Sequence, residues 1–392
     1  MAVKDWLAVF VMASTGTFLA MVFIVVSPML PLVAEHFGGG KDGAFVAQWV
    51  LTMPSIGVII GGPTTGWFVE RVGARVVLFT CLIVFALAGT AGLFVESQSL
   101  LLASRLVVGL AATGLVTAAM GLIVEIFTEQ QRGSILGLQN AIATALSVVV
   151  TLSSGAIAEH HGWRAPFALY GLSLPILLLA LIVIPAVSRR QAASGGSPGG
   201  TLALFAPMLP VYALITLGMI ISFQSASQVP VLLAADGIAS PQTISEILGA
   251  GTVLFTVGAI GYGTLRARAG LWWTFALALA LQGIGILGLS LGHGIVGIGA
   301  GVLLLNLGSG VQTPNLTHWV MDKAPLPVRG RAMGLLFSAQ FLGPFLNSSF
   351  IAPAISAYGL RNILAVIASL IAVGVALAVL RARSAPIIQG SH

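Results

Sequence analysis

The stretch GWFVERVGAR, Gly66–Arg75, sets Glu70 and Arg71 between two glycines and Arg75 just beyond the second, in a chain of which only 7% is charged. A soluble globular protein carries about 25% charged residues. Here 57% of the 392 residues are hydrophobic and the mean hydropathy is +1.04. Such a chain has lipid as its main solvent, and Gly66–Arg75 reads as a polar loop between two apolar segments.

On either side of that loop, apolar residues come in blocks of about 20, the length that spans a bilayer as a helix. Three of them, Val76–Val95, Pro166–Val187 and Asn362–Leu380, contain no charge. Twelve segments are expected, at 7–34, 46–69, 76–95, 99–124, 134–157, 165–187, 204–232, 243–265, 271–291, 295–320, 332–355 and 362–381. In lipid each must satisfy its own backbone hydrogen bonds, so the fold class is an all-α membrane protein. The first segment is too long, and too polar at Ser14, Thr15 and Thr17, for a cleaved signal peptide.

Basic residues fix the expected topology. With the N-terminus inside, Lys4, Arg71, Arg75, Arg132, Arg189, Arg190, Arg266, Arg268, Lys323, Arg329, Arg331, Arg381 and Arg383 are cytoplasmic. Lys41, Arg164 and Arg361 are left outside. This is the positive-inside bias, and it puts both termini in the cytoplasm of a bacterial inner membrane protein. The pI of about 10.1 therefore reports topology and not nucleic acid, since the charges form no stripe. The single cysteine, Cys81, lies within a segment and reads as a packing residue.

SRRQAASGGSPGG, Ser188–Gly200, is basic and flexible, and divides the chain into residues 1–187, a cytoplasmic linker at 188–203, and residues 204–392. The two halves repeat at an offset of 197. Gly66, Arg71 and Gly73 land on Gly263, Arg268 and Gly270; Glu125 lands on Asp322, Gly137 on Gly334, and Gly162 and Arg164 on Gly359 and Arg361. A duplicated six-helix unit in parallel orientation is a transporter architecture.

With Gly66, Glu70, Arg71, Gly73 and Arg75 in this loop, the chain resembles the major facilitator superfamily, whose signature there is Gly, three residues, an acid, Arg, one residue, Gly, one residue and a basic residue. RLVVG (Arg105–Gly109) is similar to the family's helix 4 motif, and GWRAPF (Gly162–Phe167) to the start of its helix 6. Two departures stand out. The acid is Glu70 where Asp is usual, and LSVVVTLSSGAIAEHHG lacks the Gly-Pro motif of drug antiporters. The resemblance implies two pseudo-symmetric six-helix bundles, closest in pattern to 12-helix efflux and drug:proton antiporter-like members.

It also implies a conformational latch made by Gly66, Glu70, Arg71, Gly73, Arg75, Glu125, Arg268 and Asp322. Arg71 or Arg75 would pair with Glu125, Glu70 would face the helix start near Gly330, and Asp322 would pair with Arg268. The alternative is an interfacial charge cluster that only fixes topology. Such a pair at a solvated face contributes about 1 kcal/mol.

By the same resemblance the first, fourth, seventh and tenth helices line a cavity. Their polar residues are the expected substrate site: Arg105, Thr113, Gln224, Gln228, Asn306, Gln312, Thr313 and Asn315. The 197 offset maps Arg105, Gly109 and Thr113 onto Val302, Asn306 and Gly310. Each neutral residue alone could equally be packing glue between helices. Arg105 is costly in a membrane segment, so it either faces the cavity, selecting anionic substrates, or snorkels to the interface. His318, with Asp322 four residues on, and Glu246 are the candidate proton sites; His318 and Trp319 as interfacial anchors are the alternative.

No central carboxylate would offset the desolvation of a cation, so anionic, zwitterionic or neutral amphiphiles fit better. No metal-ligand spacing, nucleotide loop or catalytic triad pattern occurs, and neither enzymatic activity nor a cofactor is expected. The expected partners are a small-molecule substrate, a coupling proton and the lipid bilayer, with a monomer as the default. Proton-driven efflux is the main reading. Uptake of an organic anion or metabolite by symport or facilitation is the alternative, and a non-transporting receptor or scaffold is the alternative of another class.

Overall fold

A computed structural model describes residues 3–184, 206–325 and 329–384; the expected linker at 188–203 lies outside the described residues. Every regular element there is helical. In chain order these are α1 (Val3–Ile24), α2 (Leu30–His36), α3 (Gly40–Val72), α4 (Ala74–Thr90), α5 (Gln98–Ile126), α6 (Glu129–His161) and α7 (Ser173–Val183). They are followed by α8 (Leu209–Ala235), α9 (Pro241–Leu291), α10 (Gly294–Lys323), α11 (Arg329–Leu346), α12 (Ala352–Tyr358) and α13 (Leu360–Ser384). Eleven spans among the described residues are long and apolar enough to cross a bilayer, and the chain is an integral membrane protein.

Segments 243–265 and 271–291, expected as two helices, are two helices that meet at a kink within α9 without an intervening loop. Gly270 interrupts it with φ 75° and ψ −178°, a conformation that only glycine adopts without strain. Prolines divide other spans. Pro28 lies in a 3-10 turn, Ser27–Met29, between α1 and α2. Between α11 and α12, Asn347–Ile351 form a single π turn, a local widening that re-aims side chains.

Burial separates into two apolar cores. One gathers side chains from Ala8 to Ile184 and takes in Phe223 of α8; the other runs from Met208 to Ala378. Glycines pair along the chain at two different offsets. Gly40, Gly73 and Gly162 have positive φ, as do Gly237, Gly270 and Gly359, each 197 residues later. The helix crossings repeat differently. A methyl on Gly57 would strike the Leu106 carbonyl and one on Gly109 the Pro54 carbonyl; on Gly258 and Gly310 it would strike the carbonyls of Leu307 and Phe255. From Gly57 to Gly258 the offset is 201, so the α9–α10 crossing has slid about one turn relative to its loops. At the crossing, Arg105 therefore corresponds to Asn306, not to Val302 as the loop offset implied.

At the end remote from Gly66–Arg75, Asp236 ties α8 to the starts of α10 and α13. Its carboxylate accepts the Gly294 N–H at 2.7 Å, Arg361 Nη2 at 3.1 Å and His293 Nδ1 at 3.3 Å. Arg361 also donates to the carbonyls of Ser290 and Gly292. The Gly294 N–H, then His293 and Arg361, hold the Asp236 carboxyl below its ordinary value, against burial that raises it. A depressed pKa contributes stability that is complete above the unfolded value of about 4 and is lost as pH falls through the folded value. Asp236→Asn should therefore melt below the parent at neutral pH, with the two converging in acid, as thermal unfolding across a pH series would measure.

Candidate functional site

Polar side chains converge where the two cores meet. Gln224 and Gln228, one turn apart on α8, lie on either side of Ser227, and all three are buried. Gln224 Nε2 donates to Asn347 Oδ1 at 2.7 Å, and Asn347 Nδ2 donates to Ser227 Oγ at 3.4 Å. Gln228 Nε2 donates to the same hydroxyl at 3.2 Å. From α3, Gln48 Nε2 reaches the Ser227 carbonyl at 3.1 Å and Thr52 Oγ1 donates to Ser348 Oγ at 2.7 Å. This junction network joins α3 and α8 to the π turn at Asn347–Ile351. Two of its acceptors, Gln48 Oε1 and Gln224 Oε1, are buried and receive no hydrogen bond from the described residues. Unmet acceptors in a low-dielectric interior are costly, and a ligand donor would satisfy them.

A second network lies between α8, α9 and α10. Gln282 Nε2 donates to Gln312 Oε1 at 2.6 Å and to Ser309 Oγ at 3.0 Å, while Ser222 Oγ donates to Ser309 Oγ at 2.7 Å. Gly218 leaves room for the Gln312 amide, and a small cleft lined by Ser222, Gln312, Thr313 and Gln340 opens beside it. Asn306 Nδ2 donates to Ser225 Oγ at 3.1 Å, whereas Thr313 Oγ1 bonds back to the Ser309 carbonyl in its own helix. Asn315, expected beside these residues, belongs elsewhere.

Its place is a titratable cluster near the end that carries Gly66–Arg75. Arg266 Nη1 donates to Asn315 Oδ1 at 2.7 Å, and Arg266 Nη2 lies 3.0 Å from Asp322 Oδ2. His318 Nε2 is 3.4 Å from Asp322 Oδ1, and His318 Nδ1 is 2.9 Å from the Tyr262 hydroxyl. The expected Asp322 partner was Arg268. Two residues along a helix point to nearly opposite faces, so Arg266 takes Asp322 and Arg268 is exposed.

Arg105 neither lines an opening nor reaches the interface. It is fully buried, and its Nη2 donates to the carbonyls of Ala88 at 3.1 Å and Gly89 at 2.8 Å. Those carbonyls belong to the last turn of α4, where no intrahelical N–H remains to meet them. The guanidinium lies 4.7 Å from the Phe167 ring and 5.0 Å from that of Tyr170. Arg105 is thus a cap for α4 held in an aromatic cage. Thr113 bonds back to the Gly109 carbonyl and packs on Gly61 at the α3–α5 crossing.

In the loop Gly66–Arg75 both arginines stack on aromatic rings. Gly73 ends α3 with φ 92°. Arg71 stacks on Trp67 at 4.0 Å, and Arg75 stacks on Phe79, one turn along α4, at 5.1 Å. Arg75 makes no ion pair with Glu125 among the described residues; both Glu125 and Glu70 are exposed. Gly66 has open space where a side chain would lie, and the surroundings of Gly330 are outside the described residues. At the opposite end Glu246 Oε1 accepts from Gln242 Nε2 at 3.1 Å on the exposed face of α9.

Gln48, Thr52, Ser227, Gln282, Asn347 and Ser348 were not singled out from the sequence. The i, i+4 spacing of Gln48 and Thr52 repeats that of Gln224 and Gln228 and was the available signal.

A family model described as Major Facilitator Superfamily matches residues 12–348. The arabinose-proton symporter of Escherichia coli is 26% identical over 171 residues, covering 44% of this chain and 36% of that protein. The multidrug efflux pump LfrA of Mycolicibacterium smegmatis is 28% identical over 212 residues, covering 53% of this chain and 41% of the pump. The chain thus spans less than half the length of these curated relatives. The crystal structure of a D-xylose-proton symporter superposes with a TM-score of 0.74 over 95% of this chain and 97% of that one, at 17% identity, a likeness of fold alone.

Proposed function

The chain belongs to the Major Facilitator Superfamily, and from that premise we propose a secondary active transporter that moves a small, uncharged or anionic amphiphile by alternating access between two six-helix halves. The break at Gly270, the two cores and the repeated Gly57 and Gly258 crossings support twelve spans in two halves. The positive-inside bias supports cytoplasmic termini, and the polar junction lies within one chain, in keeping with a monomer.

The observation that carries the substrate reading is the junction network. Its Gln48 and Gln224 carbonyl oxygens await donors, and no carboxylate accompanies them among the described residues of the network. A solute bearing hydroxyl or N–H groups on an apolar frame fits. A lipophilic cation does not, because nothing there would offset its desolvation. Proton coupling is assigned to the Tyr262–His318–Asp322 cluster, and the larger share of the chain aligned with the multidrug pump supports efflux. Symport of a hydroxylated metabolite is the second reading, favoured by the same donor-seeking oxygens and by the similarity to the arabinose-proton symporter.

Flux into proteoliposomes under an imposed pH gradient tests the transporter reading, and no flux for any solute class would leave a receptor or scaffold. Gln224→Leu should raise KM about 10-fold for a donor-bearing substrate, the loss of about 1.4 kcal/mol, while sparing an analogue without the donor. Equal losses for both would overturn the assignment. In cells, dissipating the proton gradient should raise substrate accumulation if the direction is efflux and lower it if it is symport.

A further inference from the structure

Two seams join the halves at the end remote from Gly66–Arg75. The first is buried and neutral: Ser27 Oγ donates to the Ala226 carbonyl, Gln48 to the Ser227 carbonyl and Thr52 to Ser348. The second runs between α6 and α9. There Ser245 and the Pro241 carbonyl fill the space beside Gly155, and Leu152 lies against Gly249. At the rim of this second seam, Glu159 Oε2 of α6 accepts the Ser240 hydroxyl at 2.9 Å and the Gln242 N–H at 3.4 Å.

Ser240 is the N-cap of α9, its Oγ accepting the Thr243 N–H at 3.2 Å. Pro241 has no N–H, so Gln242 carries the first free donor of the helix. Glu159 meets that donor and places a carboxylate at the positive end of the helix dipole. A side chain of one half therefore completes the capping of a helix in the other. The repeat contains no second copy: at the 197 offset Glu159 falls on Ser356 and Ser240 on Gly43. Gly43 of α3 and Ser356 of α12 consequently cannot form a charge-assisted contact of this kind.

We infer that Glu159 is a gate-positioning residue, whose clasp on Ser240 and Gln242 holds this mouth shut and must break whenever the site faces that side. This rests on the alternating-access reading. Ser245 is fully buried beneath the clasp and serves as a reporter. In full-length protein carrying Cys81→Ala and Ser245→Cys, the rate of labelling by a maleimide in detergent reads the opening. Glu159→Gln and Ser240→Ala should each raise that rate fivefold or more, while Ser240→Thr, which keeps the hydroxyl, should stay within twofold of the parent. A Glu159→Cys, Ser240→Cys pair in the Cys81→Ala background should stop flux when oxidised and regain it on reduction. Unchanged labelling in Glu159→Gln and Ser240→Ala, or full flux through the oxidised pair, overturns the gate. A parent without flux whose labelling still responds to Glu159→Gln overturns the transport reading instead.

Discussion

Replacing Arg105 by glutamine is expected to lower stability by about 3 kcal/mol and to reduce transport of anionic and neutral substrates in equal proportion. The guanidinium satisfies the carbonyls of Ala88 and Gly89 at the end of α4 while resting on Phe167 and Tyr170. Glutamine is shorter and neutral, so it loses both carbonyl bonds and the cation–π contacts, the latter worth about 2 kcal/mol when desolvated. The aromatic cage cannot simply close over the gap, because Tyr170 and Phe167 already pack tightly on Gly89 and Gly92. Thermal unfolding of purified protein checks the first half of this expectation, and flux per folded molecule checks the second. Normal melting with loss confined to anionic substrates would return Arg105 to the substrate site.

That outcome turns on partners which the sequence does not reveal. A guanidinium in an apolar segment is conspicuous, but whether it meets a ligand or the frayed end of a neighbouring helix depends on how α4 and α5 pack. The loops were easier to read. Positive-φ glycines and arginines occupy fixed places at helix ends, so the 197 offset located Gly73 with Gly270 and Gly162 with Gly359. The membrane crossings are contacts between small residues in long apolar stretches, where a slide of one turn leaves composition and periodicity unchanged. The shift to 201 between Gly57 and Gly258 therefore emerges only from the structure.

The junction site was partly legible for the same reason. Gln224 and Gln228 stand out by their spacing on one helix, whereas Asn347 and Ser348 reach the site through a π turn that no hydrophobic period encodes. The motif echo directed Asp322 to Arg268, since sequence offset preserves position along a helix and not the facing of each side chain. In the fold, Arg266 has the correct face.

The same cluster carries the other large effect. His318→Gln is expected to leave substrate binding and equilibrium exchange intact while removing, by about 10-fold or more, the acceleration that a pH gradient imposes on net flux. That factor corresponds to about 1.4 kcal/mol of coupling. His318 sits between two groups of opposite kind, the Tyr262 hydroxyl at Nδ1 and the Asp322 carboxylate at Nε2. With Tyr262 donating to Nδ1, a neutral ring donates from Nε2 to Asp322 and every partner is satisfied. Adding a proton at Nδ1 turns the Tyr262 hydroxyl from donor to acceptor and strengthens the attraction to Asp322, which Arg266 already holds from its other oxygen. One proton thus redistributes bonds between α9 and α10, the pair of helices that also crosses at Gly258 and Gly310. Glutamine preserves a polar side chain there but cannot change charge. Tyr262→Phe should retain part of the response, because the contact between the His318 ring and Asp322 remains, and Asp322→Asn should abolish it as His318→Gln does. Measurement of substrate counterflow beside pH-driven uptake in proteoliposomes separates the two activities. Full pH-driven accumulation in His318→Gln and Asp322→Asn would exclude the cluster from coupling and transfer the proton to the carboxylates at the opposite end, Glu246 among them.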